Sequence, residues 1–141
     1  RRDIYFVKGF GYQSLTFDKL ILNFVKTQFK SNNKLKFDIN INKKIFSQFN
    51  FINLNNSNFN KIKLVIGRPS LGILSECFLR KIPFYPIYEK KDKESNVNTK
   101  MLMKYYNLNK LKFEINNFIK KIYSKNICIN GEKKVLDKII K

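Results

Sequence analysis

The sequence predicts a three-layer α/β domain, in which a mostly parallel sheet carries helices on both faces in a Rossmann-like arrangement. Short runs rich in Ile, Val and Phe alternate with longer segments whose apolar residues recur at helical spacing. Two of these runs stop at glycine-containing turns that lead into helices. Strands that alternate with helices favour a parallel sheet covered on both sides. The 141 residues suffice for one such domain, so we expect a single unit over residues 1–141.

The first strand and helix lie within the opening thirty residues. Residues 4–7 are β-branched or aromatic, which is typical of a strand, and the segment 8–11 supplies a glycine-punctuated turn. Over residues 14–29 the apolar positions share one helical face. Asp18 lies near the amino end of this helix, where the helix dipole favours a carboxylate. This is a strand–turn–helix unit.

Two further strands and a loop follow. Residues 34–41 alternate between apolar and polar side chains, which is the period of a strand. Residues 49–54 predict a second, shorter strand. The asparagine-rich stretch 53–60 predicts a loop, because Asn and Ser satisfy backbone groups locally in turns.

A second strand–turn–helix unit occupies the middle of the chain. Residues 62–66 form a strand that ends at Gly67, and Ser70 or Gly72 opens a helix. The inner face of that helix carries Ile73, Leu74, Cys77 and Phe78.

The last third of the chain predicts one strand and three helices. Pro83 ends the preceding helix, and residues 84–88 return as a strand in which Pro86 belongs at an end or an edge. Residues 89–98 predict a polar loop without core residues. Helices are predicted over 99–106, 113–123 and 132–140, with a turn at Asn130-Gly131 between the last two.

Charge is the strongest compositional signal. The chain has 29 Lys and Arg against 10 Asp and Glu, a net charge of +19 that favours polyanions such as nucleic acid, anionic lipid or a phosphorylated ligand. The abundance of Asn, Lys, Ile and Phe also fits AT-rich codon usage, so composition leaves both explanations open. No apolar run approaches a membrane span and no signal peptide is evident, so we expect a cytoplasmic protein.

The residue types present exclude several kinds of active site. The chain contains no histidine, which excludes Ser-His-Asp and Cys-His chemistry and the usual zinc sites. Cys77 and Cys128 lack the spacing of metal ligands, and we expect both to be reduced and structural. A general base would be a carboxylate or belong to another domain.

The segment 64–76 carries the most chemistry. A buried strand enters a tight turn and then a helix whose first amides face the carboxyl edge of the sheet, where α/β proteins bind ligands and a helix amino end attracts phosphate. Ser70 and Gly72 let an anion approach the backbone, and Arg68 adds a charged donor. Glu76 is an acceptor suited to a ribose diol. Spacing alone favours an ordinary turn with small residues and a Glu76 that caps the helix or faces solvent.

The order of these residues resembles the donor-binding domain of MurG-type glycosyltransferases, the family 28 enzymes with the two-domain GT-B fold. Arg68, Gly72 and Glu76 follow the family's strand–turn–helix motif, and Lys81-Ile82-Pro83 is similar to its step into the next strand. Glu94 and Asn98 look like the polar loop and helix start that come next. The chain departs from the motif at Ile73, which replaces a threonine, and at Pro69-Ser70, which replaces a glycine pair.

The resemblance implies that the chain is the C-terminal half of a GT-B fold that binds a nucleotide sugar, with UDP expected, for inverting sugar transfer. It implies that no metal or other cofactor takes part, since the helix amino end stabilises the diphosphate. A separate N-terminal acceptor domain, which the chain is expected to lack, or a partner subunit would complete the enzyme. An anionic membrane surface at the inner face of a membrane is a further expected partner. The resemblance assigns Gly11, Ser70 and Gly72 to phosphates, Arg68 to the diphosphate or base, Glu76 to ribose and Glu94 to the sugar.

Three alternatives stay open. UDP-sugar 2-epimerases share the fold and have a small-residue turn and a Glu in this region. A basic RNA-binding or ribosomal protein would fit the net charge, although the lysines are spread through the chain and no RNA-recognition glycine pattern occurs. A degenerate domain that only binds a partner subunit is the third.

Overall fold

A computed structural model of the chain describes residues 1–31, 33–44 and 48–108, together with residues 117, 118, 120 and 122. Strands and helices alternate along most of this length. Their order is β1 (Asp3–Val7), α1 (Leu15–Gln28), β2 (Leu35–Asp38), β3 (Asn50–Ile52), α2 (Asn56–Phe59), β4 (Ile62–Gly67), α3 (Leu71–Leu79), β5 (Phe84–Pro86) and α4 (Lys93–Tyr106).

The five strands form one sheet in the order β3-β2-β1-β4-β5, and every pair of neighbours is parallel. From β1 the chain moves outward to β2 and β3, then returns to the other side of β1 for β4 and continues outward to β5. Because parallel crossovers are right-handed, the β1–α1–β2 and β4–α3–β5 units place α1 and α3 on opposite faces. The predicted three-layer, Rossmann-like α/β fold is confirmed.

Aromatic side chains fill the layer between the sheet and α1. The register aligns Phe6 of β1 with Phe37 of β2, and their rings stack with centroids 4.8 Å apart. On the same face, Tyr85 of β5 packs against Phe24 of α1 at 5.5 Å. Phe6 and Phe37 are fully buried. Burial of such large apolar side chains is the main favourable contribution to the folding free energy.

The open edge of β5 is covered by the end of α4. The backbone N–H of Phe84 points away from β4 and donates to the hydroxyl of Tyr106 at 3.1 Å. Pro86 ends the strand, which is where a residue without an amide proton is tolerated. The proline, which fitted poorly inside the predicted strand 84–88, thus marks where the strand stops.

Two of the predicted loops are wrong. Residues 53–60 contain α2, which begins because the side chain of Asn55 accepts the N–H of Asn58 at 3.0 Å. Residues 89–98 were expected to carry no core residues, but α4 begins at Lys93 and the segment buries four side chains, Glu89, Asp92, Ser95 and Asn98. Polar composition suggested a loop, whereas Glu89, Asp92 and Asn98 are buried in hydrogen bonds to neighbouring turns, and Ser95 bonds to Asp92.

Three predicted strands are shorter than expected, and the one predicted over 49–54 spans only Asn50–Ile52. The strand predicted over 34–41 ends at Asp38, and the following Ile39 is 43% exposed although the alternation assigned it to the buried face. The strand predicted over 84–88 ends at Pro86. Helix 99–106 is confirmed as part of α4. The predicted helix 132–140 and the Asn130-Gly131 turn lie outside the described residues, as does most of helix 113–123, of which Phe118 and Ile122 are described and buried.

Candidate functional site

The strand order creates a switch point between β1 and β4. The chain leaves β1 toward one side of the sheet and leaves β4 toward the other, so the two following turns diverge at the carboxyl edge. Open α/β sheets bind ligands at such a point. Gly67 lets the backbone at the end of β4 lie close to that of β1. A Cβ at this position would lie 2.0 Å from the carbonyl oxygen of Val7, and the φ of 145° is unfavourable for other residues. The N–H of Arg68 then donates to the same oxygen at 3.1 Å.

The turn after β1 is held by two buried carboxylates. Asp38, at the end of β2, accepts the backbone N–H groups of Lys8 and Gly9 at 2.9 and 2.8 Å. The Nζ of Lys8 lies 3.0 Å from one carboxylate oxygen of Asp18 in α1 and 3.1 Å from the other, which it hydrogen-bonds. Lys8, Asp18 and Asp38 are each at most 6% exposed. Asp18, predicted only to favour the helix dipole, is therefore half of a buried ion pair.

The tip of this turn is open. Gly9 and Gly11 have φ values of 93° and 84°, the left-handed region that favours glycine, and a Cβ added to either would meet no atom within 4 Å. Phe10 between them is 97% exposed. The predicted phosphate residue Gly11 thus lies at an accessible place on the carboxyl edge.

Glu89 joins the turn after β1 to the segment after β5. One of its carboxylate oxygens accepts the hydroxyl of Tyr12 at 2.7 Å and also the hydroxyl of Ser14. Ser14 in turn caps α1 by accepting the N–H of Phe17 at 3.1 Å. Burial raises the pKa of Glu89, but hydrogen bonds from Ser14 and Tyr12 and the charge of Lys91 outweigh it, so the pKa lies below its usual value. Burial, with the bond to Glu89, raises the pKa of Tyr12 to about 12.

Arg68 joins the turn after β4 to the same segment. Its Nε donates to Asp92 at 2.7 Å, its Nη2 lies 3.6 Å from Glu94, and its guanidinium lies over the ring of Tyr12 at 4.1 Å. Asp92 also caps α4 by accepting the N–H and hydroxyl of Ser95. Burial raises the pKa of Asp92, but Arg68 and Ser95 outweigh it and the pKa is lowered.

The amino end of α3 is the uncapped one at this edge. Ser70 is its N-cap residue but makes no side-chain capping bond, whereas Ser14 and Asp92 cap α1 and α4 with their side chains. Leu71 and Gly72 are exposed. Unsatisfied amides and the helix dipole make this end a place where an anion is favoured.

The structure brings five of the six predicted site residues to one edge. Arg68 and Glu94 are in contact, Gly11 lies in the turn that supplies Tyr12, and Ser70 and Gly72 open α3. Glu76 is oriented differently, because its carboxylate binds Arg80 one helical turn further on at 3.0 Å. Arg80 also donates to Asn56 of α2, which precedes β4 and therefore lies toward the amino edge. The ribose role of Glu76 stays a prediction.

Sequence reasoning missed the residues that connect these turns. Tyr12, Glu89 and Asp92 form most of the polar contacts between the three loops, yet Glu89 and Asp92 were placed in a loop without core contacts. One signal was present: Asp92 precedes Ser95 by three residues, the spacing of an N-cap. Within the described part of the chain, no group of three or more His, Cys, Asp or Glu side chains is arranged to hold a metal ion.

Comparison of the chain with protein-family models, with curated protein sequences and with solved structures finds no match. Among the described residues, no helix has the length and apolar character needed to cross a membrane.

Proposed function

We propose that this chain binds the diphosphate of a nucleotide sugar, with uridine as the expected base, and acts as the donor-binding half of an inverting glycosyltransferase. The observation that carries the proposal is the uncapped amino end of α3 beside the open glycine turn at the switch point. The amino end of α3 offers backbone N–H groups that no side chain caps. In the glycine turn Asp38 already accepts the N–H groups of Lys8 and Gly9, so this turn would contribute through its exposed tip at Phe10 and Gly11.

Arg68 supports the diphosphate from a fixed position. Its Nε and Nη2 are engaged by Asp92 and Glu94, and Tyr12 lies under its guanidinium. Its Nη1 has no hydrogen bond among the described residues, so it is free to donate to a phosphate oxygen. Because Asp92 balances its charge, most of the attraction for a diphosphate would come from the backbone amides.

The experiment is a calorimetric titration of the chain with UDP, using two substitutions of Gly72. Gly72→Asp puts a carboxylate in the first turn of α3, which stabilises the helix but repels a diphosphate. We expect at least a tenfold loss of affinity, about 1.4 kcal/mol, with an unchanged or higher Tm. Gly72→Ala is the uncharged comparison: its Cβ meets no protein atom within 4 Å, so the fold is kept, and its smaller loss of affinity separates the missing close approach from the repulsion in Gly72→Asp. Equal affinity in both variants would remove α3 from the binding site.

A second pair of variants tests the ribose role of Glu76. Glu76→Ala should lower the affinity for UDP by roughly ten- to a hundredfold if the carboxylate leaves Arg80 to accept from a ribose diol. Arg80→Ala breaks the same ion pair but keeps the acceptor, so it should leave the affinity unchanged. If both variants bind UDP like the parent, Glu76 has only its exposed contact with Arg80.

The alternative functions predict different outcomes. A basic RNA-binding protein would bind a polynucleotide tightly and give no response to UDP. A UDP-sugar 2-epimerase-like domain would bind UDP in the same way, so an assay for sugar transfer or epimerisation with the acceptor half supplied separates it from a transferase. The isolated chain should show no transfer, because the other half of the cleft and the general base are expected on the acceptor domain.

A further inference from the structure

Five basic residues lie together at the opposite edge of the sheet, where the strands begin. We call them the amino-edge cluster: Arg1, Arg2, Lys34, Lys61 and Lys81. Backbone contacts bring them together. The N–H of Arg2 donates to the carbonyl oxygen of Lys61 at 2.9 Å, and the N–H of Ile4 donates to the carbonyl oxygen of Lys34 at 2.8 Å. The Nη1 of Arg1 lies 3.4 Å from the carbonyl of Lys81. All five residues are exposed.

Carboxylates are scarce beside this cluster. Of the seven acidic residues in the described part of the chain, five are at the carboxyl edge: Asp18, Asp38, Glu89, Asp92 and Glu94. The remaining two are Asp3, which is 5% exposed and 3.4 Å from Arg2, and Glu76, which binds Arg80. Three lysines of the amino-edge cluster therefore have no carboxylate partner among the described residues. Their charges remain available to an external anion.

Helix ends account for only part of the amino-edge cluster. Basic residues commonly follow a helix because they offset the negative end of its dipole, and Lys81 follows α3 in this way. Lys61 likewise comes two residues after the short helix α2, but Lys34 precedes β2 and is not adjacent to a helix end. Lys81 itself has a φ of 59°, a left-handed conformation that favours glycine or asparagine at the end of a helix. A lysine at this position keeps a positive charge in the amino-edge cluster, although its backbone conformation is less favourable than that of a glycine.

We propose that the amino-edge cluster binds the surface of an anionic phospholipid bilayer. The cluster extends along the starts of four adjacent strands, which are about 4.8 Å apart, so it forms a row roughly 15 Å long. Clusters of four to eight Lys and Arg side chains attract anionic headgroups. Leu79, 52% exposed and two residues before Lys81, adds an apolar side chain at the same edge.

The surface suits lipid better than single-stranded nucleic acid. Proteins that bind single strands stack bases on exposed aromatic rings as well as contacting phosphates. The one aromatic residue among the large exposed apolar side chains of the described chain is Phe10, at the carboxyl edge. The amino-edge cluster offers charge without a stacking platform. Docking there would leave the switch point facing the solution, so the inference does not depend on nucleotide binding.

The test is sedimentation of the full 141-residue chain with vesicles of equimolar phosphatidylcholine and phosphatidylglycerol, compared with vesicles of phosphatidylcholine alone. The amino-edge variant carries Lys34→Ser, Lys61→Ser and Lys81→Gly. The control carries Lys19→Ala, Lys90→Ser and Lys93→Ala, three exposed lysines at or near the carboxyl edge. Both variants lose the same net charge. Thermal unfolding of each verifies that the domain is folded.

We expect the parent to bind the anionic vesicles and not the neutral ones. The amino-edge variant should bind about a hundredfold more weakly, since each lysine near a surface contributes about fivefold, and the control should stay within a few fold of the parent. Equal losses in both variants would overturn the proposal, because net charge alone would then explain binding. A second result would also overturn it: the chain binds polyuridylate through the amino-edge cluster and does not bind vesicles. The surface would then be assigned to nucleic acid. A UDP titration of the same chains with and without vesicles tests the proposed nucleotide site separately, because loss of vesicle binding should leave the affinity for UDP unchanged.

Discussion

The two edges of the sheet use charge in opposite ways. At the carboxyl edge, the charged side chains that join neighbouring elements are paired and mostly buried, Lys8 with Asp18 and Arg68 with Asp92, although Lys90 and Lys93 near this edge are exposed. At the amino edge, lysines such as Lys34 and Lys61 are exposed without a carboxylate partner among the described residues. Charges that are buried in pairs join elements of the fold, whereas exposed ones contribute little to the fold and act on partners. The same residue types therefore join elements of the fold at one edge and remain available to a partner at the other.

The largest loss of stability is expected from a substitution where β1 and β4 separate. In Gly67→Ala the new Cβ would lie 2.0 Å from the carbonyl oxygen of Val7, an overlap with backbone that no side-chain movement relieves. We expect a loss of more than about 4 kcal/mol in the free energy of unfolding, enough to unfold many domains of this size. Chemical denaturation measures it. Gly72→Ala, in open space on α3, is the control and should raise stability by about 0.5–1 kcal/mol.

The next largest loss of stability is expected when the buried ion pair between Lys8 and Asp18 is broken. Lys8→Met leaves Asp18, 1% exposed, as a buried carboxylate without its cation, which costs about 3–5 kcal/mol. Adding Asp18→Leu to the same chain should recover much of this loss, because an apolar pair of similar size replaces the charges. Lys19→Met, a neighbouring exposed lysine, should change stability by less than about 0.5 kcal/mol. A double variant no more stable than Lys8→Met alone would contradict this account.

Acid pH should weaken the carboxyl edge in particular. Glu89 and Asp92 have a lower pKa in the folded chain than their ordinary values of 4.5 and 3.8. Their contribution to stability is fully present above those values and is lost as the pH falls through the folded pKa. Stability should therefore fall below about pH 4.5, and Glu89→Gln should flatten that fall. Glu94→Gln is the control, since the side chain of Glu94 is 60% exposed. Thermal unfolding across pH compares the three chains, and identical slopes would show that Glu89 is not part of the acid response.

The smallest effects are expected at the amino edge. Lys34→Ser and Lys61→Ser remove exposed charges without a carboxylate partner among the described residues, so each should change stability by less than about 0.5 kcal/mol. Lys81→Gly should raise it by about 1 kcal/mol, because glycine adopts the left-handed conformation without strain. Denaturant titration measures both. A loss above about 1 kcal/mol in either serine variant would remove the contrast between the edges.

Part of the candidate site could be predicted from local sequence. The glycine turn at Gly11 and the helix opening at Ser70 and Gly72 are local features, since a strand that stops at glycine before an amphipathic helix has few other solutions. The contact between Arg68 and Glu94 follows from sheet order rather than from spacing. The bond from Glu76 to Arg80 lies at the helical spacing of i to i+4, a pairing that competes with any ligand.

By itself the sequence determined the alternation of strands and helices, because hydrophobic period and turn chemistry act over a few residues. It also determined a +19 chain without histidine, and so the kinds of chemistry that are excluded. The tertiary structure alone decided which polar residues are buried. Glu89 reaches Tyr12, 77 residues earlier, and the amino end of β1 meets Lys61 only because β4 pairs with β1. Contacts between such distant positions depend on the order of strands in the sheet, which local periodicity does not encode.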